Sequence, residues 1–572
     1  MSMPLGLKPS EHILVLILFS LISAAFTYPL ISHMADWVPG QFDTHWFLWE
    51  LWHFSYSIDH GQWPAHTAML FYPEGTSLYL STITPLLSIA AYPLQKLFGL
   101  FAAYNTLYLL SYVLSGYSAY LLALHVTGDK KAAFIAGVIF AFSPYHAGHA
   151  LNHLNLMSTQ FVPLVFLAYL KLKEDSTVKN AVFLGVALAL AGLSEMIYLA
   201  ITLVAVVADM LAGAYGKEKL GKNFARAVFM AAVVFTAAIL PYLAGMAFDL
   251  FSNSYDNSTS QETFAWGLIF SPDVAAFFVP APLNPLFSKI TSGFYDSLGY
   301  DNGTPVERNV YLGYSVILLA IAAVVFVWKD ARKWAILFTV FFLLALGPVA
   351  KLLGNYLPLP LPGLILPLLP FSNLLRFPGR FYVIAMLCAA VMAAIGLRWI
   401  STKLDKRKRN ALFMLVTAII FIEYYSPIAI ILDTSYSPFY DKIAMERNGL
   451  AVLDLPYYGN FDPYNAYLMY LQTVHQKPIY GGSLSRTPAQ IWQRIQATSC
   501  ISHLIELDIG KCNDTKELAD NKIKYVVLHK DDEKMQGKEI SGDRIEEAKK
   551  GLDALFGMPV YEDEKIAVYE TG

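Results

Sequence analysis

The stretch PGQFDTHWFLWELWH, residues 39–53, decides the fold because it places an acid among tryptophans just after the first long apolar run. Trp46, Trp49 and Trp52 recur every third residue behind Asp43. Tryptophan favours the membrane–water interface, so we expect a helix over residues 45–58 that lies along the outer leaflet. Asp43 either caps this helix through its side chain or presents a carboxylate to a ligand, and the two roles are compatible.

The composition is that of a membrane protein. Of the 572 residues, 56% are hydrophobic and 15% are charged, whereas soluble domains average about 25% charged residues. Two short apolar runs with prolines, 83–98 and 361–371, predict re-entrant or interfacial segments. Because a span needs about 20 apolar residues, the longer runs predict about eleven transmembrane helices. They lie near residues 12–32, 101–126, 131–147, 156–173, 179–193, 195–213, 226–247, 310–328, 333–350, 381–399 and 411–432.

Lysine and arginine cluster in every second predicted loop, whereas the loop 33–82 contains neither residue. By the positive-inside rule the N-terminus is cytoplasmic and 33–82 is the first external loop. The prediction is a multi-pass protein of the cell membrane, with a transmembrane domain over 1–432 and an extracytoplasmic domain over 433–572. The basic loops contain Lys130, Lys131, Lys171, Lys173, Lys179, Lys217, Lys219, Lys222, Arg226, Lys329, Arg332, Lys333, Lys403, Lys406, Arg407, Lys408 and Arg409.

The region 433–572 mixes four strand-like runs, AVLDLP, KPIYGG, KYVVLHK and KIAVYE, with the helical stretch RIEEAKKGLDALFG. This mixture predicts a small α/β domain. Cys500 and Cys512 pair if this domain faces an oxidising compartment and stay free otherwise. The sequons at Asn257, Asn302 and Asn513 fall in predicted external segments. The net charge of −3 is uninformative and no nucleic-acid motif is visible, so we expect no nucleic-acid partner.

A short predicted external loop carries His149 and His153, four residues apart. Such spacing places both imidazoles on one helix face and permits two metal ligands. Glu195 or Glu74 could supply a third ligand. The alternatives are histidines that contact a sugar or phosphate, and histidines that only cap helix ends.

Three further charged positions are candidates for ligand binding. Glu195 lies between two apolar runs, where an ionisable residue suggests function, although a tight external turn would also place it there. Arg376 and Arg380 either bind phosphate, whose oxygens suit the guanidinium fork, or reach towards lipid headgroups. Glu307 and Arg308 could pair with each other.

The chain resembles the GT-C class of membrane glycosyltransferases, with YfhO-like features. The resemblance rests on one span followed by a long external loop with an early aspartate, on many later spans and on an external C-terminal domain. Four motifs add to it: AFSPYHAGHALNHLNLMSTQFVPL (141–164), ERNVYLGYSVILLA (307–320), LALGP (344–348) and LLRFPGR (374–380). It implies a polyprenyl-phosphate-linked sugar as donor and Asp43 as general base. Many members carry an acidic pair here, whereas Thr44 and His45 follow Asp43 in this chain.

The function predicted is transfer of a sugar from a polyprenyl-phosphate carrier to an extracytoplasmic glycan, lipid or protein. Asp43 would be the catalytic residue, and His149, His153, Glu195, Arg376 and Arg380 would bind substrate. No nucleotide-binding motif is visible, which favours a lipid-linked donor, and a requirement for a divalent metal is open. The alternative is a non-enzymatic transporter or scaffold in envelope glycan assembly. A transporter typically shows two similar halves, and the sequence shows no such repeat.

Overall fold

The computed structural model is mostly helical. It describes residues 8–215, 221–253, 255, 260–280, 282–298, 306–368, 372–428, 430–446, 449–458, 462–497, 499–512, 514–530 and 542–571. The three sequons, at Asn257, Asn302 and Asn513, lie outside the described residues.

The N-terminal half consists of helices and one two-stranded hairpin. In this hairpin β1, His66–Thr67, pairs antiparallel with β2, Thr76–Ser77. The helices are α1 Pro9–Phe26, α2 Thr44–Asp59, α3 Pro85–Phe98, α4 Leu100–Thr127, α5 Lys130–Ala141, α6 Pro144–His149, α7 Leu154–Met157, α8 Phe161–Glu174, α9 Val178–Ser194, α10 Met196–Tyr215 and α11 Lys222–Ser252.

The C-terminal half adds further helices, a second hairpin and a sheet. The helices are α12 Ser260–Ile269, α13 Ser288–Ser297, α14 Tyr314–Phe326, α15 Trp328–Ala345, α16 Tyr382–Thr402, α17 Lys406–Tyr424, α18 Phe439–Met445, α19 Pro463–His475, α20 Ala489–Ala497, α21 Ser499–Ile505, α22 Lys516–Asp520 and α23 Gly542–Phe556. The strands are β3 Val349–Leu352, β4 Asn355–Pro360, β5 Ala451–Leu455, β6 Ile523–His529, β7 Tyr561–Glu562 and β8 Ile566–Glu570.

Among the described residues, five helices are long and apolar enough to cross a membrane. They are Pro9–Phe26, Leu100–Thr127, Met196–Gly213, Lys222–Ser252 and Pro378–Ser401, and two shorter apolar helices are Val178–Ser194 and Tyr314–Phe326. This is a membrane protein, but the count of about eleven spans stays a prediction. One reason is α5, whose 12 residues rise only about 18 Å, which is shorter than the hydrocarbon core of about 30 Å. The run at 83–98 forms the 14-residue helix α3, and its path relative to the membrane likewise stays a prediction.

The chain divides into two compact units, each built from discontinuous segments. The first unit comprises Met1–Gly40, Asn105–Leu240 and Ser258–Ile431, and the second comprises Gln41–Tyr104, Pro241–Asn257 and Leu432–Gly572. Residues 432–572 therefore share a unit with α2 and α3. The predicted division into domains over 1–432 and 433–572 stays a prediction.

Helix α16 forms the core of the first unit. It is buried from Tyr382 to Leu397, and α14, α15 and α5 pack against it. Small residues permit this close packing: a Cβ at Gly396 would lie 2.0 Å from the carbonyl oxygen of Leu319 on α14. The tight packing holds the segments that precede α14 and α16, which carry two of the site residues described below.

In the second unit α2 is buried within the protein, and this corrects the expected surface helix. Trp46, Trp49 and Trp52 are each less than one-tenth exposed. Helix α19 packs against α2, and Trp49 Nε1 donates a hydrogen bond to Gln472 Oε1 at 2.7 Å. The prediction was wrong because composition reveals an apolar helix but not the element that covers it.

The second unit also contains a four-stranded sheet in the order β5-β6-β8-β7. Strands β5 and β6 run parallel, and β6 and β8 run antiparallel. Three of the strand-like runs and the helical run α23 form as the α/β pattern predicts. The run KPIYGG contributes only an isolated bridge, between Ile479 and Val452.

A disulfide joins Cys500 and Cys512 in the second unit. Closing a loop with a sequence separation of 12 residues lowers the conformational entropy of the unfolded chain. This stabilises the folded state by about 3 kcal/mol. We therefore expect reductant to lower the thermal unfolding midpoint of the full-length protein in detergent. The C500S/C512S variant should unfold at the midpoint of the reduced wild type and should not respond to reductant. Equal midpoints for oxidised and reduced wild type would contradict this expectation.

Candidate functional site

A buried polar cluster in the first unit brings together four of the predicted site residues. His149 ends α6, and His153 immediately precedes α7. Their Nδ1 atoms lie 3.2 Å apart, so one ring donates a hydrogen bond to the other. Glu195 and Arg380 both interact electrostatically with this pair. The two histidines, Glu195 and Arg380 thus form one cluster, and their role in substrate binding stays a prediction.

Glu307 pairs with Arg380 rather than with its neighbour Arg308, which corrects the expected pairing. Arg380 Nε donates to both Glu307 carboxylate oxygens, at 3.0 and 3.2 Å, and Nη2 donates to Oε1 at 2.5 Å. The two side chains are only 6% and 11% exposed. Burial alone would raise the pKa of Glu307, but the charge of Arg380 and the nearby histidines hold that pKa at about 2.

Two glycines allow the Glu307 segment to enter the cluster. A Cβ at Gly379 would lie 2.3 Å from the Glu307 carbonyl oxygen, and a Cβ at Gly148 would lie 2.9 Å from Asn309 Cβ. Asn309 Nδ2 then donates to the Pro144 carbonyl oxygen at 2.6 Å. The glycines within SPYHAGH and LLRFPGR are therefore a sequence signal for close backbone approach, although they do not identify the segment that approaches.

Glu195 occupies the single-residue break between α9 and α10, as a tight turn predicts. Its Oε1 accepts a hydrogen bond from the Ile197 amide at 2.9 Å, and its Oε2 accepts one from Asn155 Nδ2. Burial raises the pKa of Glu195. Two buried carboxyl groups with opposite pKa shifts, Glu195 and Glu307, can divide proton-donor and anionic roles between them.

Two tyrosines that sequence reasoning missed adjoin the cluster. The hydroxyls of Tyr145 and Tyr198 lie 3.1 Å apart, and Tyr198 donates to the Leu156 carbonyl oxygen at 2.6 Å. Tyr145 also makes an edge contact with the His149 ring. Their positions within long apolar stretches gave no signal that distinguished them from other aromatic residues.

Arg376 lies against aromatic rings at the edge of the same region. Its guanidinium carbon is 5.8 Å from the Trp266 ring centroid and 5.1 Å from that of Phe377. Arg380 contacts the same Phe377 ring at 4.3 Å. The two arginines therefore share one aromatic residue, but the guanidinium fork of Arg380 binds Glu307 instead of presenting two free donors.

The cluster fits a divalent metal by its donor set. Ligand atoms of His149, His153 and Glu307 all lie within 4.8 Å of one another. The buried His149 Nε2 has no hydrogen-bond partner within the part of the chain that the structure describes. Two imidazoles and a carboxylate suit zinc. The expected third ligands were wrong: Glu74 pairs with Arg494 in the second unit, at 2.8 Å, and Glu195 binds Asn155 and Ile197.

Asp43 lies in the second unit, at the residue before α2. Its side chain makes no capping hydrogen bond, so the capping role expected for it is wrong. Phe42, directly before it, has a φ of 39°, a conformation that a bulky residue adopts only at a cost. This backbone conformation sets the direction in which the half-buried side chain of Asp43 projects from the backbone.

Glu50, about two helical turns further along α2 than Asp43, has a structural role. Its carboxylate accepts hydrogen bonds from the Thr84 amide at 2.6 Å and from the Ser88 hydroxyl at 3.0 Å. These groups belong to the N-terminal turn of α3, where an anion is favourable. Glu50 therefore joins α2 to α3 within the second unit.

The neutral state of His149 predicts a pH dependence of stability. Burial lowers the pKa of His149, whereas the unfolded chain takes up a proton near pH 6.5. The unfolded state then binds more protons in acid, so stability falls as the pH drops from about 7 to 5. We expect the thermal midpoint of His149→Gln to fall less over this interval than that of wild type and of the exposed control His60→Gln. Identical pH profiles for all three would contradict this.

Comparison with known families and structures places the chain. The model of a family described as a domain of unknown function, DUF6311, matches residues 13–425. Among the curated proteins no match is found. The YfhO-like features stay a prediction.

Several solved structures share the fold. Arabinofuranosyltransferase AftD from Mycobacteria aligns with a TM-score of 0.63 and 14% identity, over 99% of this chain but 40% of its own. Oligosaccharyltransferase AglB from Archaeoglobus fulgidus, solved with an inhibitory peptide and a dolichol-phosphate, aligns at 0.52 and 13% identity, over 91% of this chain and 69% of its own. ArnT from Cupriavidus metallidurans aligns at 0.50 and 11% identity, over 98% of both chains.

At these identities the likeness is one of fold. The chain spans less than half of AftD and nearly the whole of ArnT. It is a helical membrane protein that shares the fold of AftD, and it belongs to the DUF6311 family.

Proposed function

We propose that this protein is a GT-C glycosyltransferase that moves a sugar from a polyprenyl-phosphate carrier to an extracytoplasmic glycan, lipid or protein. The observation that carries the proposal is the fold shared with AftD over 99% of the chain. AftD and AglB are named for glycosyl transfer, and the dolichol-phosphate bound to AglB supports a lipid-linked donor.

Asp43 is the proposed general base. Asp43 immediately precedes α2 and is half-buried. Asp43 would take the proton of an acceptor hydroxyl as its oxygen attacks the anomeric carbon. The bond from that carbon to the phosphate oxygen breaks, and the phosphate leaves with the electron pair. This step inverts the anomeric carbon, and Asp43 acts without a second acid beside it.

The cluster of the first unit is the proposed site for the phosphate. Arg376 and Arg380 supply positive charge, and arginine suits phosphate oxygens. His149, His153 and Glu195 add groups that can donate hydrogen bonds when protonated. A metal held by His149, His153 and Glu307 would neutralise phosphate charge when bound.

An external orientation of the second unit has independent support. The Cys500–Cys512 disulfide suits an oxidising compartment, and the basic loops favour a cytoplasmic N-terminus. The transporter alternative gains no support, because the two compact units interleave along the chain instead of forming successive halves.

Sugar transfer in proteoliposomes tests the proposal. Purified wild type receives a panel of polyprenyl-phosphate sugars, with envelope extract of the host as acceptor, and the matched nucleotide sugars serve as controls. We expect transfer from at least one lipid-linked donor and none from a nucleotide sugar. Transfer only from nucleotide sugars would overturn the donor class, and no transfer from any donor would favour a scaffold.

A further inference from the structure

Glu307 has two sets of partners that exclude each other. It is one of three residues whose ligand atoms lie within 4.8 Å of one another, together with His149 and His153. Both of its carboxylate oxygens, however, accept hydrogen bonds from Arg380. A metal ion on Glu307 would stand beside the guanidinium, and two cations repel strongly in a buried site. The described conformation therefore disfavours the metal.

The histidines are nevertheless arranged to receive an ion. His149 is fully buried, and among the described residues its Nε2 has no hydrogen-bond partner, which is costly for a polar atom. The Nδ1 atoms of His149 and His153 lie 3.2 Å apart, close enough for both rings to contact one ion. A histidine pair beside a glutamate carboxylate, with ligand atoms within 4.8 Å of one another, matches the two-histidine, one-carboxylate donor set of zinc.

Arg380 has an alternative partner type in phosphate. Its fork can bind two phosphate oxygens as well as two carboxylate oxygens. The Phe377 ring, 4.3 Å from the guanidinium, offers a surface over which a cation can turn without losing its aromatic contact. Moving Arg380 to a phosphate would leave the Glu307 charge buried without its partner, which is strongly unfavourable unless another cation replaces the arginine.

We propose that His149, His153 and Glu307 form a zinc-class cation site that a phosphate group opens by drawing Arg380 away from Glu307. Phosphate and metal then bind cooperatively, because each removes the obstacle to the other. The inference rests on the proposed function only for the expected source of the phosphate, a lipid headgroup. Inorganic phosphate carries the same chemistry.

Zinc binding to the full-length protein in detergent tests the proposal without any sugar transfer. The zinc affinity is measured by competition with a chromogenic chelator in four conditions: no addition, inorganic phosphate, undecaprenyl phosphate, and undecaprenol as the control without phosphate. We expect about a tenfold or greater gain in affinity with phosphate and none with undecaprenol. A gain with undecaprenyl phosphate alone identifies the headgroup as the source, and a gain with both identifies phosphate in general.

Variants distinguish the zinc ligands from Arg380, the residue that blocks the site. Glu307→Gln and His153→Gln should lose phosphate-dependent zinc binding, whereas Arg308→Gln, the matched arginine control, should behave as wild type. Arg380→Gln should bind zinc without phosphate, and zinc should raise its thermal midpoint more than that of wild type. If Arg380→Gln does not fold, the four wild-type conditions still decide.

Two results would overturn the inference. Equal zinc affinity of wild type with and without phosphate would show that phosphate does not open the site. Unchanged zinc binding by Glu307→Gln would show that Glu307 is not a ligand. Neither result depends on whether the protein transfers sugar, so a failed transfer assay and a failed binding assay are distinguishable.

Discussion

Replacing Asp43 by Asn is expected to lower sugar transfer by about 10²- to 10⁴-fold, the range that general bases contribute. Asparagine has nearly the same shape but cannot accept the proton of the acceptor. Asparagine and aspartate are equally favourable at the residue before a helix, so α2 should form normally in the variant. The measurement is the initial rate of transfer from a lipid-linked donor in proteoliposomes, at saturating donor.

Asp59→Asn is the matched control, because Asp59 is the last residue of the same helix and forms an exposed pair with Lys96. It should retain the wild-type rate. A folded Asp43→Asn protein that also keeps that rate would move the base elsewhere, and Glu195, whose pKa burial raises, would be tested next.

Replacing Arg380 by Gln is expected to destabilise the protein by about 3 to 5 kcal/mol, since it leaves the buried Glu307 carboxylate without its counter-charge. Glu307→Gln likewise leaves the buried Arg380 guanidinium without its counter-charge, so it should destabilise the protein by a similar amount. The double variant should cost less than the sum of the two single changes, because neither buried charge then remains. The measurement is the free energy of unfolding in detergent, without added metal or phosphate.

The exposed Lys96–Asp59 pair provides the comparison for this cycle. Its side chains are 45% and 37% exposed, so Asp59→Asn should cost less than about 1 kcal/mol. Arg380→Lys should not restore full stability, because an ammonium lacks the fork that contacts both Glu307 oxygens. Additive effects of Arg380→Gln and Glu307→Gln would show that the pair is not coupled and would contradict the expectation.

The sequence predicts the cluster well where residues lie on one loop. His149 and His153 are four residues apart, and their proximity follows from helical spacing. The Glu307–Arg380 pair joins positions 73 residues apart, and no local pattern selects Arg380 over the adjacent Arg308. Adjacency therefore gave the wrong partner, and with it an incomplete ligand set.

The burial of α2 shows a second limit. Apolar residues all round a helix predict that it is covered, but lipid and protein both provide cover. Trp49 has a polar Nε1 group that needs an acceptor, and that acceptor, Gln472, lies 423 residues later in the chain. The tryptophan pattern was therefore assigned to the membrane interface, although protein covers the helix.

The long separation of Trp49 and Gln472 along the chain has a consequence for biosynthesis. Helix α2 leaves the ribosome early, yet α19, which covers it, is translated 423 residues afterwards. At about 5 to 20 residues per second this delay amounts to roughly 20 to 80 seconds. Throughout that time the tryptophan face of α2 needs a temporary binding partner, so a chain released before α19 is complete should be a substrate for quality-control proteases.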